Sequence, residues 1–297
     1  MKSILKKLIF LILFFVILGL AIWAFYIEPS RLVVNNYPLK LKKWSATQNG
    51  LKIVAISDIH GGSNFVTEER IREIVVQANA QNPDIIVLLG DYLSRKYLQP
   101  TELKMPLKTV AENLRGLQAK YGVYAVLGNH DNEFGGEKVR AELERVGYKV
   151  LENEAVAIKY QGEWIRLLGA HDVLRAGNNW NQINRDLKSA LDKLEAQEGK
   201  IIVLTHNPDA IVYLTEELSI SDDFSLLLAG HTHGGQCRFP LIGAPIVPSE
   251  FGQKYAAGHI RDKGIDVFVT TGVGMSVLPV RFGVPPEIAV LEVYSQN

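Results

Sequence analysis

Five short segments of this 297-residue chain carry the side chains that could do chemistry. Ser57-Asp58-Ile59-His60, Gly90-Asp91, Gly128-Asn129-His130-Asp131, Thr205-His206-Asn207 and Gly230-His231-Thr232-His233 each follow directly on a short apolar run. They hold five of the seven histidines, a clustering that random scatter would not produce. Asp58, His60, Asp91, His206, His231 and His233 offer carboxylate oxygens and imidazole nitrogens, all strong ligands for a divalent ion, and Asn129 offers a weaker amide oxygen. Oxygen plus imidazole without thiolate suits Mn, Fe, Zn or Co better than Cu(I) or a structural zinc. Seven donors are too many for one ion with an open position. They suit two ions sharing a bridging carboxylate, spaced roughly 3.5–4 Å apart, the arrangement that activates water and clamps a phosphoryl group for in-line displacement. Taken singly, a strand-end Asp is usually a turn former or helix cap, and a lone His is usually a satisfied core or surface residue. The joint placement carries the inference.

The elements that must position these residues are legible around them. LKIVAI (51–56), DIIVLL (84–89), GVYAVL (122–127), KIIVLT (200–205) and FSLLLA (224–229) read as buried strands. Segments 67–81, 103–119, 137–146 and 181–196 read as amphipathic helices, with Thr67 as an N-cap and Glu68 and Glu69 in the first turn. AVAIKY and WIRLLG flank Gln161-Gly162-Glu163, a hairpin signal. IDVFVT (265–270) and EIAVLEV (287–293) are β again. In open α/β sheets ligands bind beyond the carboxyl ends of strands, so five polar termini can converge on one site. Gly90, Gly128 and Gly230 permit close backbone approach or positive φ there.

The N-terminus has a different texture. Leu8 to Ile27 is 20 residues without a charge, long enough to span a hydrocarbon core of roughly 30 Å. A cleaved signal peptide would have a shorter apolar region and an A-x-A-like site, which Ala21 and Ala24 do not form. Lys2, Lys6 and Lys7 precede the run, which places the N-terminus in the cytoplasm and the rest outside; Lys40, Lys42 and Lys43 argue for the opposite orientation. The reading is an anchor over 1–27, a juxtamembrane connector over 28–50 and a catalytic domain over 51–297. Lys+Arg and Asp+Glu are both 32, which gives no basic excess for a nucleic acid. The single cysteine, Cys237, excludes an internal disulfide and reads as a small packing residue.

In order, the segments D-x-H, G-D, G-N-H-D, a lone His and G-H-T-H resemble the calcineurin-like metallophosphoesterase superfamily, from Leu51 to about Val293. GHTHGGQ (230–236) and LPVRFGVPPE (278–287) are similar to its membrane-anchored branch, which includes bacterial cell-envelope phosphoesterases and one type of UDP-2,3-diacylglucosamine pyrophosphatase. The resemblance implies an α/β fold, a four-layer α-β-β-α sandwich, behind the transmembrane helix. It implies that Asp58, His60 and His233 hold one metal, that Asn129, His206 and His231 hold the other, and that Asp91 bridges them. His130 would face the scissile phosphate as the catalytic histidine. Asp131 would orient the His130 ring or cap the following turn.

Two further residues are candidates for substrate binding. Arg281 presents a guanidinium fork that suits a phosphate oxygen, or else a structural role. Asp172 follows an apolar strand, as does His171, and the resemblance puts it near the pocket mouth. His259 reads as a polar-loop residue.

The expected function is a membrane-anchored hydrolase of phosphodiester or pyrophosphate bonds, dependent on two divalent ions (Mn, Fe or Zn) and acting on a phosphate ester with a lipid-linked one favoured. No nucleic-acid or protein partner is expected. The lipid A pathway pyrophosphatase is the specific alternative, and its cytosolic nucleotide substrate would need the opposite orientation. A non-catalytic metal-binding scaffold is the remaining one, opposed by the complete ligand set.

Overall fold

The computed structural model describes residues 2–172, 180–195, 198–216 and 223–296. Two six-stranded sheets form its centre. The first runs in the order β1 (Val33–Leu41), β14 (Glu287–Ser295), β2 (Leu51–Ile56), β3 (Ile85–Leu89), β6 (Val123–Val126), β7 (Lys149–Val150). The second runs β12 (Gly258–Asp262), β13 (Ile265–Val269), β11 (Phe224–Ala229), β10 (Lys200–Leu204), β9 (Glu163–Gly169), β8 (Glu154–Tyr160). A two-stranded hairpin, β4 (Arg95–Lys96) with β5 (Gln99–Leu103), stands apart from both. Strands β2, β3 and β6 are mutually parallel, as are β9, β10, β11 and β13.

The central strands are apolar at nearly every position because both of their faces are covered. Ile53, Ala55, Val87 and Leu89 of the first sheet pack against Leu167, Ile202, Leu204, Leu226 and Leu228 of the second. The alternate residues Val54, Ile56, Ile86 and Leu88 turn outward onto α2 (Glu68–Asn79), α3 (Leu107–Leu114) and α4 (Asn129–Arg145) through Ile71, Ile74, Val110, Leu114 and Val139. On the far side Leu168, Val203 and Leu227 pack on α5 (Trp180–Asp192) and α6 (Ala210–Glu216) through Leu187, Ile211 and Leu214. The layers are therefore helix, sheet, sheet, helix.

Local chemistry sets several boundaries. The Thr67 side chain accepts the Arg70 N–H and starts α2, a cap worth about 1 kcal/mol. Tyr160 pairs with Glu163, leaving Gln161 and Gly162 as a two-residue loop with φ of 49° and 90°, the left-handed pair that a tight hairpin requires. Helix α3 is shorter than the expected 103–119, because Leu103 closes β5, Pro106 stands at the N-cap and Arg115 leaves helical geometry after Leu114.

The stretch 28–50 is more than a connector. Residues 33–41 form β1, paired in parallel along the whole length of β14. As an edge strand its outer positions stay polar, which hides it from an apolar-run reading; Asn35 and Tyr37 both donate to Glu287 Oε2.

Ahead of it, α1 (Lys2–Ile22) continues through a wider turn, Trp23–Ile27, to Ser30. Within this 29-residue helix an 18-residue stretch has mean hydropathy 3.0 and is almost wholly exposed, long and apolar enough to cross a membrane. Its end is fastened to the domain. Glu28 is buried and accepts the Val284 N–H at 2.6 Å and the Trp23 Nε1–H at 2.6 Å, and the Arg281 N–H donates to the Ala24 carbonyl at 3.0 Å.

Candidate metal centre

The parallel strands of both sheets end at one edge, and the seven candidate ligands sit in the turns just beyond. Those turns are tight. Asp58, His60, Asp91, His231 and His233 all have positive φ, between 46° and 70°. Such a conformation is costly for a residue with a side chain and persists where surrounding structure over-determines it. Two glycines make room for the arrangement. A Cβ on Gly128 would collide with the Asp91 carboxylate, and one on Gly230 with the Ser57 hydroxyl.

The ligand atoms fall into overlapping groups. One oxygen or nitrogen each from Asp58, His60 and His233 lie within 4.8 Å of one another, and the same holds for Asp91, His206 and His231. Asp91 links the two: its Oδ2 is 3.2 Å from His206 Nε2 and 3.7 Å from His60 Nε2. His60 Nε2 faces His233 Nε2 at 3.2 Å, and His231 Nδ1 faces His206 Nε2 at 3.1 Å. Asn129 begins α4 beside Asp91, and its Oδ1 is buried with no hydrogen-bond partner.

These residues fit divalent cations on several counts. Asp58 Oδ1 and Asn129 Oδ1 are orphaned acceptors, and a buried acceptor without a partner costs about 1–3 kcal/mol. The tautomers are fixed from behind. His60 Nδ1 lies 3.1 Å from the Leu93 carbonyl and His206 Nδ1 2.7 Å from the Leu89 carbonyl, so each ring donates there and turns the Nε2 lone pair into the site. Burial drives the His60, His231 and His233 imidazoles to low pKa, His231 to about 3, which keeps their lone pairs free. Burial raises Asp91, but His206, His60 and His130 outweigh it and hold that carboxyl below the usual range. Burial also raises Asp58, in part against the pull of His206, a second sign of negative charge lacking full compensation.

The remaining sequence candidates land differently. His130 lines the cleft beside the ligands with its ring edge-on to His60, centroids 5.2 Å apart, and its backbone N–H donates to Asp91 Oδ1 at 2.9 Å. Asp131 does not engage the His130 ring. Its carboxylate accepts the N–H groups of Asp91, Gly128 and Tyr92 at 2.8–2.9 Å, so it fixes two ligand turns as a positioning residue, and a catalytic role is set aside.

Arg281 is not a phosphate clamp. It is fully buried, and its guanidinium donates to the carbonyls of Thr271, Gly272, Gly274 and Val284. Asp172 is also fully buried, outside the cleft lining, with both oxygens lacking a hydrogen-bond partner; burial lifts its pKa to about 6. The Arg281 donors are taken up by backbone carbonyls, whereas the buried Asp172 carboxyl lies within electrostatic reach of His206 and Asp91 of the ligand set. His171 pairs with Glu152 at 2.5 Å, and His259 sits on β12 against Asp266.

One supporting segment has no ligand and was not flagged by the sequence. Residues 271–274 press on the first ligand turn, with Val273 N–H donating to Ser57 O and Gly274 N–H to Asp58 O at 2.7 Å. Its signal is a strand end followed by Gly-x-Gly, with two threonines but no carboxylate or imidazole.

A cleft of about 600 Å³ opens from the ligands outward. Asp91, Asn129, His130, His231 and His233 form its floor, and Phe239, Ile246, Val277, Leu278 and Val280 are prominent in its walls.

A four-layer sandwich with an Asp-linked, seven-donor cradle at the strand ends defines a dinuclear metallophosphoesterase. The family profile described as calcineurin-like phosphoesterase matches residues 51–235, and the chain belongs to that family of metal-dependent phosphoester hydrolases. Its relatives include the metallophosphoesterase YkuE of Bacillus subtilis, 30% identical over 93% of this chain and 90% of that one. Phosphodiesterase YaeI of Escherichia coli is 30% identical over 90% of each chain. A zebrafish protein described as a transmembrane protein with metallophosphoesterase domain is 30% identical over 88% of this chain and 56% of its own length.

Proposed function

We propose that this chain is a membrane-anchored phosphoesterase that hydrolyses phosphodiester or pyrophosphate bonds of a substrate with an apolar portion. The observation that carries the reading is the joining of two ligand groups through Asp91 at the floor of a cleft whose walls are mostly apolar. Asp58, His60 and His233 would hold one divalent ion, Asn129, His206 and His231 the other, with Asp91 between them. Two such ions supply a nucleophile at neutral pH and neutralise the phosphoryl oxygens.

The chain's own residues do the rest. Leu89 and Leu93 carbonyls keep two imidazoles in the ligating tautomer. Asp131 holds the Asp91 and Gly128 turns in register. His130, beside the ligands, donates a hydrogen bond to a phosphoryl oxygen or a proton to the leaving oxygen. The apolar walls exclude water and accept acyl or prenyl carbon.

The helix over Lys2–Ser30 serves as the anchor, supported by its length, its exposure and its lysine-rich start, which favours a cytoplasmic N-terminus with the catalytic domain outside. The lipid A pathway pyrophosphatase is a second reading supported by the same cleft, but it needs the domain in the cytosol. A reporter fused to the C-terminus separates the two orientations.

Purified full-length protein loaded with Mn should hydrolyse bis(p-nitrophenyl) phosphate, with loss in His130→Ala. No turnover with Mn, Fe, Zn or Co across diester, monoester and pyrophosphate substrates would leave a non-catalytic scaffold as the better reading.

A further inference from the structure

Two loops at the mouth of the cleft present large apolar side chains to solvent. The first is a tight hairpin in which Phe239 and Gly243 exchange backbone hydrogen bonds, with Leu241 and Ile242 at its tip. Leu241 is fully exposed and Ile246, just beyond, is 78% exposed. The second loop carries Val277 at 95% and Leu278 at 59% exposure. Residues 239–249 and 267–280 contain no charged side chain. Leu241 and Val277 are also held at φ of 72° and 60°, a conformation that a branched side chain adopts only at a cost. A loop evolved for water would place Gly or Asn there. Strain and exposure together point to a surface that water does not normally cover.

The position of these loops relative to the anchor says what does cover it. Arg281 N–H is bonded to the carbonyl of Ala24, a residue inside the uncharged run that ends at Ile27. At 1.5 Å per residue that contact lies roughly 5 Å inside the apolar end of the helix. Trp23 and Tyr26 occupy the same turn, as aromatic residues do at a membrane surface. The Val277–Leu278 loop runs directly into Arg281. The hairpin is joined to the same segment, since Arg238 N–H donates to Phe282 O, Phe282 N–H donates to Gln236 O, and the Phe239 and Phe282 rings lie 5.3 Å apart. The patch is thus continuous with the end of the span.

We infer that the 239–246 and 276–278 loops are a second membrane contact, seated in the lipid headgroup and upper acyl region, which lays the mouth of the metal cleft on the bilayer. This rests on the anchored reading above and extends it: the substrate enters from the lipid side, its acyl or prenyl portion against Phe239, Ile246 and Leu278 and its phosphate at the ligand floor. A tethered domain without this contact would swing free, with its cleft facing water.

The test is nitroxide depth measurement on the full-length chain in phosphatidylglycerol–phosphatidylethanolamine vesicles. Single cysteines replace Leu241, Val277, Phe14 and Gln161 in turn, in a Cys237→Ala background. Leu241 and Val277 are exposed, so labels there do not threaten the fold. Gln161 lies at the opposite end of the strands from the site. Labels at 241 and 277 should be more accessible to oxygen than to a water-soluble nickel chelate, as at 14, with the reverse at 161. Water-like accessibility at both 241 and 277 would overturn the inference, and so would spin–spin broadening that places them against a second copy. The Phe14 label reports the anchor separately, and diester turnover by wild-type protein in the same vesicles reports the proposed function separately. Either can therefore fail without the other.

Discussion

Glu28, the first residue after the long apolar run, accepts a hydrogen bond from the backbone N–H of Val284 at 2.6 Å, across 256 positions of sequence. At the exit of the proposed anchor a carboxylate would ordinarily face water or headgroups. Here it is buried and caps a loop that begins at Arg281 and ends in β14. The helix end and the support of the metal cradle are one packed unit.

Glu28→Ala should therefore be felt in the catalytic domain. It leaves the Val284 N–H and Trp23 Nε1–H without their acceptor, a loss of about 1–3 kcal/mol. Hydrogen exchange in detergent should show residues 281–284 opening at least tenfold faster than in wild type. Unchanged exchange there would mean that the helix and domain are independent.

The central position of Asp91 makes a contrast among ligand variants. Asp91→Asn should lose both ions, and His231→Ala only the one shared with His206 and Asn129. Elemental analysis after dialysis gives the count. Turnover in Asp91→Asn should fall by more than the roughly 10–100-fold typical of a residue that merely supports a ligand. One ion retained by Asp91→Asn would show that its carboxylate does not serve both groups.

Arg281 provides a test in which stability and affinity separate. Its guanidinium donates to four backbone carbonyls around the 271–274 segment that supports Asp58. Arg281→Lys keeps the charge but cannot span that fork. It should lower Tm by several degrees, consistent with one or two buried carbonyls unpaired at about 1–3 kcal/mol each, while KM for a soluble diester stays within about twofold. A raised KM at unchanged Tm would return Arg281 to the substrate.

These contrasts mark what the sequence made legible. Strand ends announced the ligands, because Asp, Asn and His recur together at the ends of five apolar runs, which turn-forming and capping uses taken singly do not produce. The layers were legible for a similar reason, since strands buried on both faces lose alternation. Backbone partners were not legible. The carbonyls of Leu89 and Leu93 orient His206 and His60, yet any residue could supply them. Arg281 read as a clamp because guanidinium suits phosphate and clustered carbonyls equally well. Residues 33–41 read as a connector because Asn35, Asn36 and Pro38 are tolerated at a sheet edge, where half the backbone needs no partner.

The same N-terminal segment gives a pH-dependent prediction through Asp266. This buried carboxylate accepts from His259 Nε2 at 2.8 Å, Arg261 Nε at 3.0 Å and the Lys42 N–H at 3.2 Å, so it ties the end of β1 to the second sheet. Burial raises its pKa, but those three donors outweigh it and hold the carboxyl below its ordinary value. A carboxylate depressed in the folded state contributes stability that is fully present above the unfolded pKa of about 3.9 and is lost as pH falls through the folded pKa. Asp266→Asn keeps the shape and removes the charge. It should destabilise the protein at pH 7 by about 1.5–3 kcal/mol, the range for hydrogen bonds to a charged group. In paired thermal melts the gap should stay constant from pH 7 to about 5, begin to shrink near the unfolded pKa of about 3.9, and close only below the lower folded pKa, where wild-type Asp266 is neutral as well. A gap that persists undiminished at pH 3 would mean that the variant acts by packing and that the charge holds nothing.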